Sequence, residues 1–435
     1  MVGTRENAQP QDARGQDAPS VVVVGAGFAG VSSLKTLAKG GLRVTLVDQN
    51  IYSTFQPLLY QVATAGLNPG DVAYPTRGFT HRYGVRFRRG ELAAVDTTAR
   101  QVRLADGGQL GYDYLIIATG VSAAYFGIDG AERNSLALYT RRDAIKLRDH
   151  LMAGLERLSA ETADGRTQDE VVITVVGGGA TGVEVAGTLA ELRNIALSAA
   201  YPEIDPARLT IRLVELGPYL IPPFSASLRD YAYRQLVKRG VDVRLKTQIR
   251  EVTPDSVIVS DGQSLHSDIT VWAAGVAAPP AAAHWGLPQG KNGRILTGPD
   301  LRVKGEERVF AIGDVALVED DPVPELAQPA IQAGRHAAQQ VRRLVAGEAT
   351  TTFHYHDKGI MATIGRRSAV VQLGHGIKFG GTLAWFAWLG LHIVTLLGNR
   401  NRVSALLNLS WRYLTWRHGG GLIVGDDPPK DAEGA

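Results

Sequence analysis

Cysteine is absent from this 435-residue chain. Its absence excludes disulfides, zinc thiolate sites, iron–sulfur clusters and any CxxC redox pair, and no other pattern predicts a metal site. Strong net charge is missing too, since the formal charge is only +3, so we expect no nucleic-acid partner. Residues 1–19 lack the apolar segment of a signal peptide and are interpreted as a disordered cytoplasmic tail. With 45% hydrophobic residues, the rest of the chain can bury the core of two or three domains.

The first recognisable unit is a strand, a turn, a helix and a second strand. A run of four valines at 21–24 predicts a buried parallel strand, and a helix is expected over about 30–38. Two glycines end that helix, and residues 43–47 predict another strand that finishes on Asp48. This arrangement is typical of a dinucleotide-binding α/β unit.

A GxGxxG motif occupies the turn of this unit. Gly25 permits the tight turn, Gly27 lets the backbone approach a pyrophosphate, and Gly30 allows close packing of helix on sheet. Asp48 follows at the distance where a carboxylate accepts hydrogen bonds from ribose hydroxyls. For an isolated motif, the alternative is an ordinary tight turn and a solvated strand end, but the chain contains a second copy.

The second copy repeats the glycines as Gly177, Gly179 and Gly182. Its predicted strand, helix and strand lie at 171–176, 183–192 and 209–214. Glu215 ends the last strand, although the spacing is longer because residues 193–208 resemble an insertion. A carboxylate there would repel a 2′-phosphate, which favours NADH over NADPH, while the nearby Arg212 leaves that preference open.

Other segments show which family the chain resembles. An apolar strand ends in ATG at Gly120 and a later strand ends in GD at Asp314, which together with the two glycine motifs resembles the two-dinucleotide flavoproteins related to glutathione reductase. The strings FQPLLYQVATAG at 55–66 and AQPAIQAG at 327–334, with the C-terminal run 385–411, are similar to type II NADH:quinone oxidoreductases. This resemblance covers residues 21–423, and the missing cysteines exclude the disulfide-reducing members.

The resemblance implies an α/β fold of two Rossmann-like domains and a C-terminal membrane-associating α+β region. FAD is expected in the first domain, and NADH in a second domain inserted into it. The expected bounds are 1–19 for the tail, 20–142 and 276–350 for the FAD-binding domain, 143–275 for the NADH-binding domain, 351–424 for the membrane-anchoring region and 425–435 for a second tail.

The cofactor-binding residues follow from the same resemblance. Thr119 and Gly120 would line the flavin side of the ATG turn, and Asp314 would hold the ribityl chain, although a strand cap is the alternative for Asp314. The residues expected to bind FAD are Gly25, Gly27, Phe28, Ala29, Gly30, Asp48, Gln56, Pro57, Thr119, Gly120, Gly313, Asp314, Ala330 and Ile331. Those expected to bind NADH are Gly177, Gly179, Ala180, Thr181, Gly182 and Glu215.

Four residues are expected to take part in catalysis. The resemblance places Gln328 and Gln332 beside the quinone, where amides can donate to a neutral carbonyl without a charge to desolvate. Glu184 would orient NADH or relay a proton, and Lys358 would stabilise the reduced flavin. The alternatives are surface positions for Gln328, Gln332 and Lys358, and a helix N-terminal charge for Glu184. Glu191, on the same helical face, is a secondary candidate that could also face water.

The C-terminal region differs in composition from the rest of the chain. No acidic residue occurs between Asp357 and Asp426, where eight Lys or Arg and four of the six tryptophans lie. Residues 379–398 are long enough to span a bilayer, but four glycines and His392 make a spanning helix there unfavourable.

The segment that follows predicts an amphipathic helix lying on the membrane surface. Its apolar face contains Val403, Leu406, Leu407, Trp411 and Leu414; its polar face contains Ser404, Asn408, Arg412 and Thr415. The basic and indole side chains expected at the lipid interface are Arg400, Arg402, Arg412, Arg417, Trp385, Trp388, Trp411 and Trp416. A dimerisation helix or a core helix pair is the alternative.

The implied activity is hydride transfer from NADH to FAD, followed by two-electron, non-proton-pumping reduction of a membrane quinone to quinol. A homodimer on the cytoplasmic face of a bacterial membrane is expected. Two other activities stay open, a soluble ferredoxin or rubredoxin reductase and an NADH-binding redox sensor. The chain departs from the family pattern at Ser53, Asn399 and Gly421, which puts details of anchoring in doubt.

Overall fold

The computed structural model describes residues 17–164, 170–319, 322–374 and 376–415, the last four by their backbone alone. The expectations for residues 1–16 and 425–435, and for Trp416, Arg417 and Gly421, lie outside the described residues. So do those for the side chains of Arg412, Leu414 and Thr415.

The strands are numbered in chain order. They are β1 Ser20–Val24, β2 Arg43–Asp48, β3 Tyr52–Thr54, β4 Ala73–Pro75, β5 Arg86–Arg89, β6 Leu92–Asp96, β7 Gln101–Leu104, β8 Gln109–Gly111, β9 Tyr114–Ile117, β10 Ser122–Ala123, β11 Leu136–Ala137, β12 Val171–Val176, β13 Leu209–Val214, β14 Val241–Arg244, β15 Ile249–Val252, β16 Ser256–Val259, β17 Ser264–His266, β18 Ile269–Trp272, β19 Val276–Ala277, β20 Ile295–Thr297, β21 Val309–Ala311, β22 Ala316–Val318, β23 Ile360–Gly365, β24 Ser368–Gln372 and β25 Lys378–Gly381.

The α-helices are numbered in the same way. They are α1 Phe28–Lys39, α2 Leu59–Ala63, α3 Thr76–Tyr83, α4 Ala131–Asn134, α5 Arg141–Ala163, α6 Ala180–Glu191, α7 Leu197–Ala200, α8 Ala226–Lys238, α9 Ala327–Val345, α10 Thr382–Thr395 and α11 Asn399–Thr415. Short 3₁₀ helices lie at Gln56–Leu58, Pro206–Arg208, Pro280–His284, Lys291–Gly293 and Gly313–Val315, and a π-helical turn lies at Leu192–Ala196.

The chain forms two compact units. As far as their residues are described, unit 1 takes in Met1–Ser53, Tyr74–Ser122 and Val276–Lys358, and unit 2 takes in Thr54–Ala73, Ala123–Gly275 and Gly359–Ala435. The division expected from sequence, into an FAD-binding domain, an inserted NADH-binding domain and a separate C-terminal region, stays a prediction, because a compact unit does not by itself show which nucleotide it binds.

Unit 1 is built on a five-stranded parallel sheet in the order β21-β9-β1-β2-β5. The valines of β1 are buried, as expected for a central strand with both faces covered. β1 is joined to β2 on one side through α1, while its other neighbour is β9, so the strand order reverses beside β1. In such sheets, ligands bind at the carboxyl ends of the strands where the order reverses, next to Gly25 here.

Unit 2 repeats this topology in the order β11-β18-β12-β13-β14. β12 is buried along its whole length and pairs with β13 and β18, so its carboxyl end at Gly177 is the second reversal point. The fold expected from sequence, with two Rossmann-like units, is therefore confirmed. The residues interpreted as an insertion, 193–208, continue α6 through a π-helical turn into α7.

The C-terminal part of unit 2 has an antiparallel sheet, β23-β24-β25, followed by α10 and α11. α10 has 14 residues and packs against β24, burying Trp385 and Trp388. Within the described ranges, no helix is long and apolar enough to cross a membrane.

Candidate active site

The first glycine turn is shaped by backbone crowding on one side and open space on the other. Gly25 has a φ of +109°, and a Cβ atom added there would lie 2.2 Å from the Ala118 carbonyl oxygen. A Cβ on Gly30 would lie 1.9 Å from the Gly25 carbonyl oxygen. Gly27, the N-cap of α1, has no atom within 4 Å of the equivalent position. The turn therefore leaves room for a phosphate at the positive end of α1.

Asp48 fixes the loop that follows β1. Its carboxylate accepts hydrogen bonds from the backbone N–H groups of Ala26 and Asn50, both at 2.6 Å. Burial raises the pKa of Asp48, although these two hydrogen bonds act to lower it. Because a carboxylate offers about four acceptor positions, it can still accept from a ribose hydroxyl.

The second glycine turn has the same geometry. Gly177 has a φ of +108°, and an added Cβ would lie 2.5 Å from the Ala273 carbonyl oxygen. A Cβ on Gly182 would lie 1.8 Å from the Gly177 carbonyl oxygen, and one on Gly179 would meet nothing within 4 Å. Ala180 and Thr181 form the first turn of α6 beside this open space.

Glu215 occupies the place in unit 2 that Asp48 has in unit 1. Its carboxylate accepts from the backbone N–H of Gly178 at 2.5 Å and of Gly217 at 2.6 Å. In both units the acid therefore bonds to the residue after the first glycine and to the residue two positions beyond itself. Arg212, which left the NADH preference open, is paired with Asp242 at 3.0 Å.

The residues expected around a flavin surround a small-residue corner of unit 1. Gly313 has a φ of +69°, and an added Cβ would lie 3.0 Å from the Ala29 side chain and 3.5 Å from that of Ala330. Gly313 and Ala330 line one cavity together with Asp314. Within the described residues, the hydroxyl of Thr119 is buried without a hydrogen-bond partner. An orphaned hydroxyl and an open glycine turn are features that a bound dinucleotide would satisfy, so these residues fit FAD.

The two glutamines of α9 have different surroundings. The Gln332 amide donates to the carbonyl of His356 and accepts from its N–H, both at 3.0 Å. One and two turns further along α9, His336 bonds to the Thr351 carbonyl and Gln340 accepts from the Thr351 N–H. Gln328 forms no side-chain hydrogen bond with any described residue. Gln332 thus holds a segment that ends at Lys358, whereas Gln328 keeps its amide available.

Two further residues that were predicted for the site, Lys358 and Ile331, lie in unit 1. The Lys358 side chain is exposed, and the Ile331 side chain is half-buried.

Two glutamates of α6 bind the β23–β24 hairpin within unit 2. Glu184 accepts from the Thr363 N–H at 3.3 Å, and Glu191 accepts from the Arg366 N–H at 3.2 Å. Burial raises the pKa of Glu184 to about 8, so this side chain is mostly protonated at neutral pH. Glu191 is buried, which makes the water-facing alternative wrong for it.

Gln56 and Pro57 lie in a 3₁₀ turn of unit 2 that leads into α2. The neighbouring Phe55 ring meets the edge of His392, which stacks on Trp388 at a ring separation of 4.0 Å. Burial lowers the pKa of His392 to about 4, so the imidazole is neutral. The segment 54–73 is thereby packed against the C-terminal helices.

Asp71 is a contact residue that no sequence pattern indicated. This residue is 6% exposed and binds two side chains on the polar face of α11. Ser404 and Asn408 were predicted on the polar face of an amphipathic helix, and Asn401 lies on the same side of it, but no pattern indicated a partner for them. If the apolar face of α11 meets lipid, its polar face must pack on the protein, and this reasoning could have indicated that Ser404 and Asn408 have a protein partner.

Unit 1 therefore brings together the first glycine turn, Asp48, Thr119, Gly313, Asp314 and the start of α9. Unit 2 brings together the second glycine turn, Glu215, Glu184 and the C-terminal sheet. Each of these two sets forms a dinucleotide-binding cradle. A chain with two such cradles belongs to the class of α/β oxidoreductases that bind two dinucleotides.

Comparison with known proteins narrows this class. A model of the pyridine nucleotide-disulphide oxidoreductase family matches residues 19–334. The chain is 38% identical to the type II NADH:quinone oxidoreductase NdhA of Mycobacterium tuberculosis, covering 89% of this chain and 85% of that protein. It is 30% identical to the type II NADH:quinone oxidoreductase of Staphylococcus epidermidis, and the match covers 85% of this chain and 92% of that protein. The chain belongs to the pyridine nucleotide-disulphide oxidoreductase family and, within it, to the type II NADH:quinone oxidoreductases.

Solved structures agree with this fold. The structure of NDH2 from Plasmodium falciparum in complex with NADH superposes with a TM-score of 0.83 at 20% identity, covering 93% of this chain and 99% of that one. The sulfide:quinone oxidoreductase of Aquifex aeolicus gives a TM-score of 0.72 at 19% identity, and the match covers 96% of this chain and 99% of that one. At these identities the likeness concerns the fold alone.

Proposed function

We propose that this chain catalyses FAD-dependent oxidation of NADH with two-electron reduction of a membrane quinone to quinol, without pumping protons. The observation that carries the proposal is the pair of matched dinucleotide cradles in a chain without cysteine. When bound, FAD supplies the redox chemistry, accepting a hydride from NADH and passing two electrons to the quinone. The protein binds, orients and shields the reactants.

The two cradles have separate tasks in this proposal. In unit 1 the open space at Gly27 receives the FAD pyrophosphate at the N-terminus of α1, and Asp48 accepts from the adenosine ribose. Thr119 gains a partner for its buried hydroxyl, and Asp314 holds the ribityl chain. In unit 2, Gly179 and Glu215 do the same for NADH, and the Glu215 carboxylate repels the 2′-phosphate of NADPH.

Separate groups in the two units are proposed to serve quinone reduction. Gln328 has an available amide, which can donate to a quinone carbonyl without carrying a charge into an apolar site. Gln332 contributes by holding the segment that ends at Lys358, whose cation stabilises negative charge on the reduced flavin. Glu184 carries a proton at neutral pH and can release it during the reaction.

The membrane surface is proposed as the place where the quinone is met. Support comes from α11, whose side chains Val403, Leu406, Leu407 and Trp411 are exposed, and from α10, where Leu383, Phe386 and Val394 are exposed. Arg400 and Arg402 are exposed beside this surface, and cations there attract anionic lipids. A core helix pair would have buried these apolar faces. Residence on the cytoplasmic face, a homodimer and the predicted domain bounds are part of the same proposal.

Steady-state NADH oxidation by the protein reconstituted in lipid vesicles tests this function. We expect rapid NADH consumption when a short-chain quinone is added, with one quinol formed per NADH. Little consumption is expected without it. A rate that quinone does not change, but that ferredoxin or rubredoxin accelerates, would identify the soluble reductase activity instead. Binding of NADH without turnover by any acceptor would identify a redox sensor.

A further inference from the structure

The helix α11 leaves most of its described large apolar side chains exposed to solvent. Its buried side chains include Asn401, Ala405 and Leu409, while Leu407 is 62% exposed and Trp411 67% exposed. In water, an amphipathic helix is stabilised by turning its apolar stripe inward, roughly in proportion to the apolar area removed from solvent. Contacts of the inward-facing residues of α11 within unit 2 must therefore offset the cost of leaving this apolar surface exposed to water.

Asp71 makes the contacts that do so. One carboxylate oxygen accepts from the Ser404 hydroxyl at 2.6 Å, and the other accepts from the Asn408 amide at 2.7 Å. The second oxygen also accepts from the N–H of Asn68 at 3.2 Å, within the same loop. One turn earlier on α11, Asn401 donates to the carbonyl of Ala73 at 2.7 Å.

The Asp71 contact is specific for one rotation of the helix. Ser404 and Asn408 are four residues apart, so both side chains reach a single carboxylate only when that face points at it. Asp71 forms no salt bridge within the described ranges, so its buried charge is balanced by hydrogen bonds alone. Rolling the helix would remove two of the donors to this buried carboxyl group and leave the Asn68 N–H, which is costly.

We propose that Asp71 is a positioning residue that holds α11 with Ser404 and Asn408 turned inward, so that exposed apolar residues such as Leu407 and Trp411 are presented to a lipid bilayer. The inference rests on the proposed membrane function. It makes Asp71 necessary for bilayer binding although the residue is buried away from the lipid. The contact also fixes α11 to the segment that carries α2.

A charge swap tests the contact directly. Asp71→Ala removes both acceptor oxygens, and Asn408→Asp places two carboxylates together, so each single variant breaks the contact. The double variant D71N/N408D restores an amide–carboxylate pair in the opposite orientation. Asp230→Ala, which also replaces aspartate by alanine but at an exposed position of α8, is the matched control.

Two readouts separate positioning from general damage. The first is sedimentation of the FAD-loaded protein with vesicles of phosphatidylcholine and phosphatidylglycerol. The second is NADH oxidation with ferricyanide, an acceptor that needs no membrane. We expect each single variant to lower the vesicle partition constant about tenfold and the double variant to recover most of it. Ferricyanide activity should stay within about twofold of wild type in all variants.

Three results would overturn the proposal. Single variants that bind vesicles as well as wild type would show that the contact is not needed. Failure of the double variant to recover binding would show that the pairing does not act as described. A parallel loss of ferricyanide activity would show a merely structural role. If the wild type itself does not bind vesicles, the proposed membrane function fails, which is distinct from failure of the single variants to differ.

Discussion

Two acidic residues have the same role in the two halves of the chain. Asp48 and Glu215 each accept from the N–H after the first glycine of their turn and from the N–H two residues ahead. Each therefore orders the loop that is proposed to bind phosphate, and each is proposed to accept from the ribose of the nucleotide. Replacing either one affects loop geometry as well as ligand recognition, so a test must separate the two.

Glu215→Gln tests the nucleotide preference. The amide still accepts one of the two backbone bonds but no longer repels a 2′-phosphate, so the kcat/KM ratio of NADH over NADPH should fall about tenfold. Steady-state kinetics with both nucleotides measure it, and thermal unfolding of the variant checks the loop. An unchanged ratio in a folded variant would contradict the proposed role of Glu215.

Glu184 gives the reaction an expected pH dependence. With its pKa raised to about 8 by burial, the side chain is protonated below that pH and ionised above it. If Glu184 supplies a proton, the rate of quinone reduction should fall as pH rises through about 8. The Glu184→Gln variant should reduce quinone slowly, and its rate should no longer fall over this pH range. Rates between pH 6 and 10 measure it. A wild-type limb that persists in the variant would assign the titration to another group.

The two glutamines of α9 should respond differently to replacement by alanine. Gln328→Ala removes an available amide and should raise the KM for quinone about tenfold while leaving the KM for NADH unchanged. Gln332→Ala removes a pair of hydrogen bonds to His356 and should also lower the melting temperature by a few degrees. Kinetics and thermal unfolding of both variants test this. Equal effects on both measurements would contradict the distinction.

At the scale of elements, the glycine turns offer a matched pair of substitutions. Gly27→Ala adds a methyl group to open space at the N-terminus of α1, so the protein should fold but bind FAD about tenfold more weakly. Gly30→Ala forces a methyl group to within 1.9 Å of a backbone oxygen and should destabilise the fold itself. Flavin content and thermal unfolding distinguish these outcomes. Full FAD affinity in the first variant would contradict the assignment of Gly27.

Sequence patterns located these elements closely where the hydrophobic signal is local. β12 and β13 have the bounds that their apolar runs predict, because buried parallel strands are continuous apolar runs. The helices α1 and α6 begin two or three residues earlier than expected, since the last glycine of each motif lies inside the first turn.

A membrane-surface helix was predicted at α11, but the contact that orients it in the protein could not be predicted in the same way. The 3.6-residue period divides the helix into two faces but does not say which one points inward. Asp71 decides that, and it lies more than 300 positions earlier in the chain. The partner of Gln332 was missed for the same reason, because a side chain that clamps distant backbone leaves no periodic signal. Long-range polar contacts account for what the sequence left open in the site.

At the scale of the whole molecule, one chain carries two proposed dinucleotide sites and an apolar surface that is proposed to meet lipid. The two cradles explain why one chain can take electrons from NADH, and the exposed apolar faces of α10 and α11 explain how it can meet an acceptor dissolved in a bilayer. Electron transfer from NADH through the flavin to quinone is the claim on which the rest depends.

Anaerobic absorbance spectroscopy of the FAD-loaded protein in lipid vesicles tests that claim most directly. One equivalent of NADH should bleach the oxidised flavin band, and one equivalent of a quinone should restore it fully as quinol forms. Bleaching without recovery on addition of quinone would contradict the proposed acceptor. A flavin that NADH does not bleach would contradict the proposed donor.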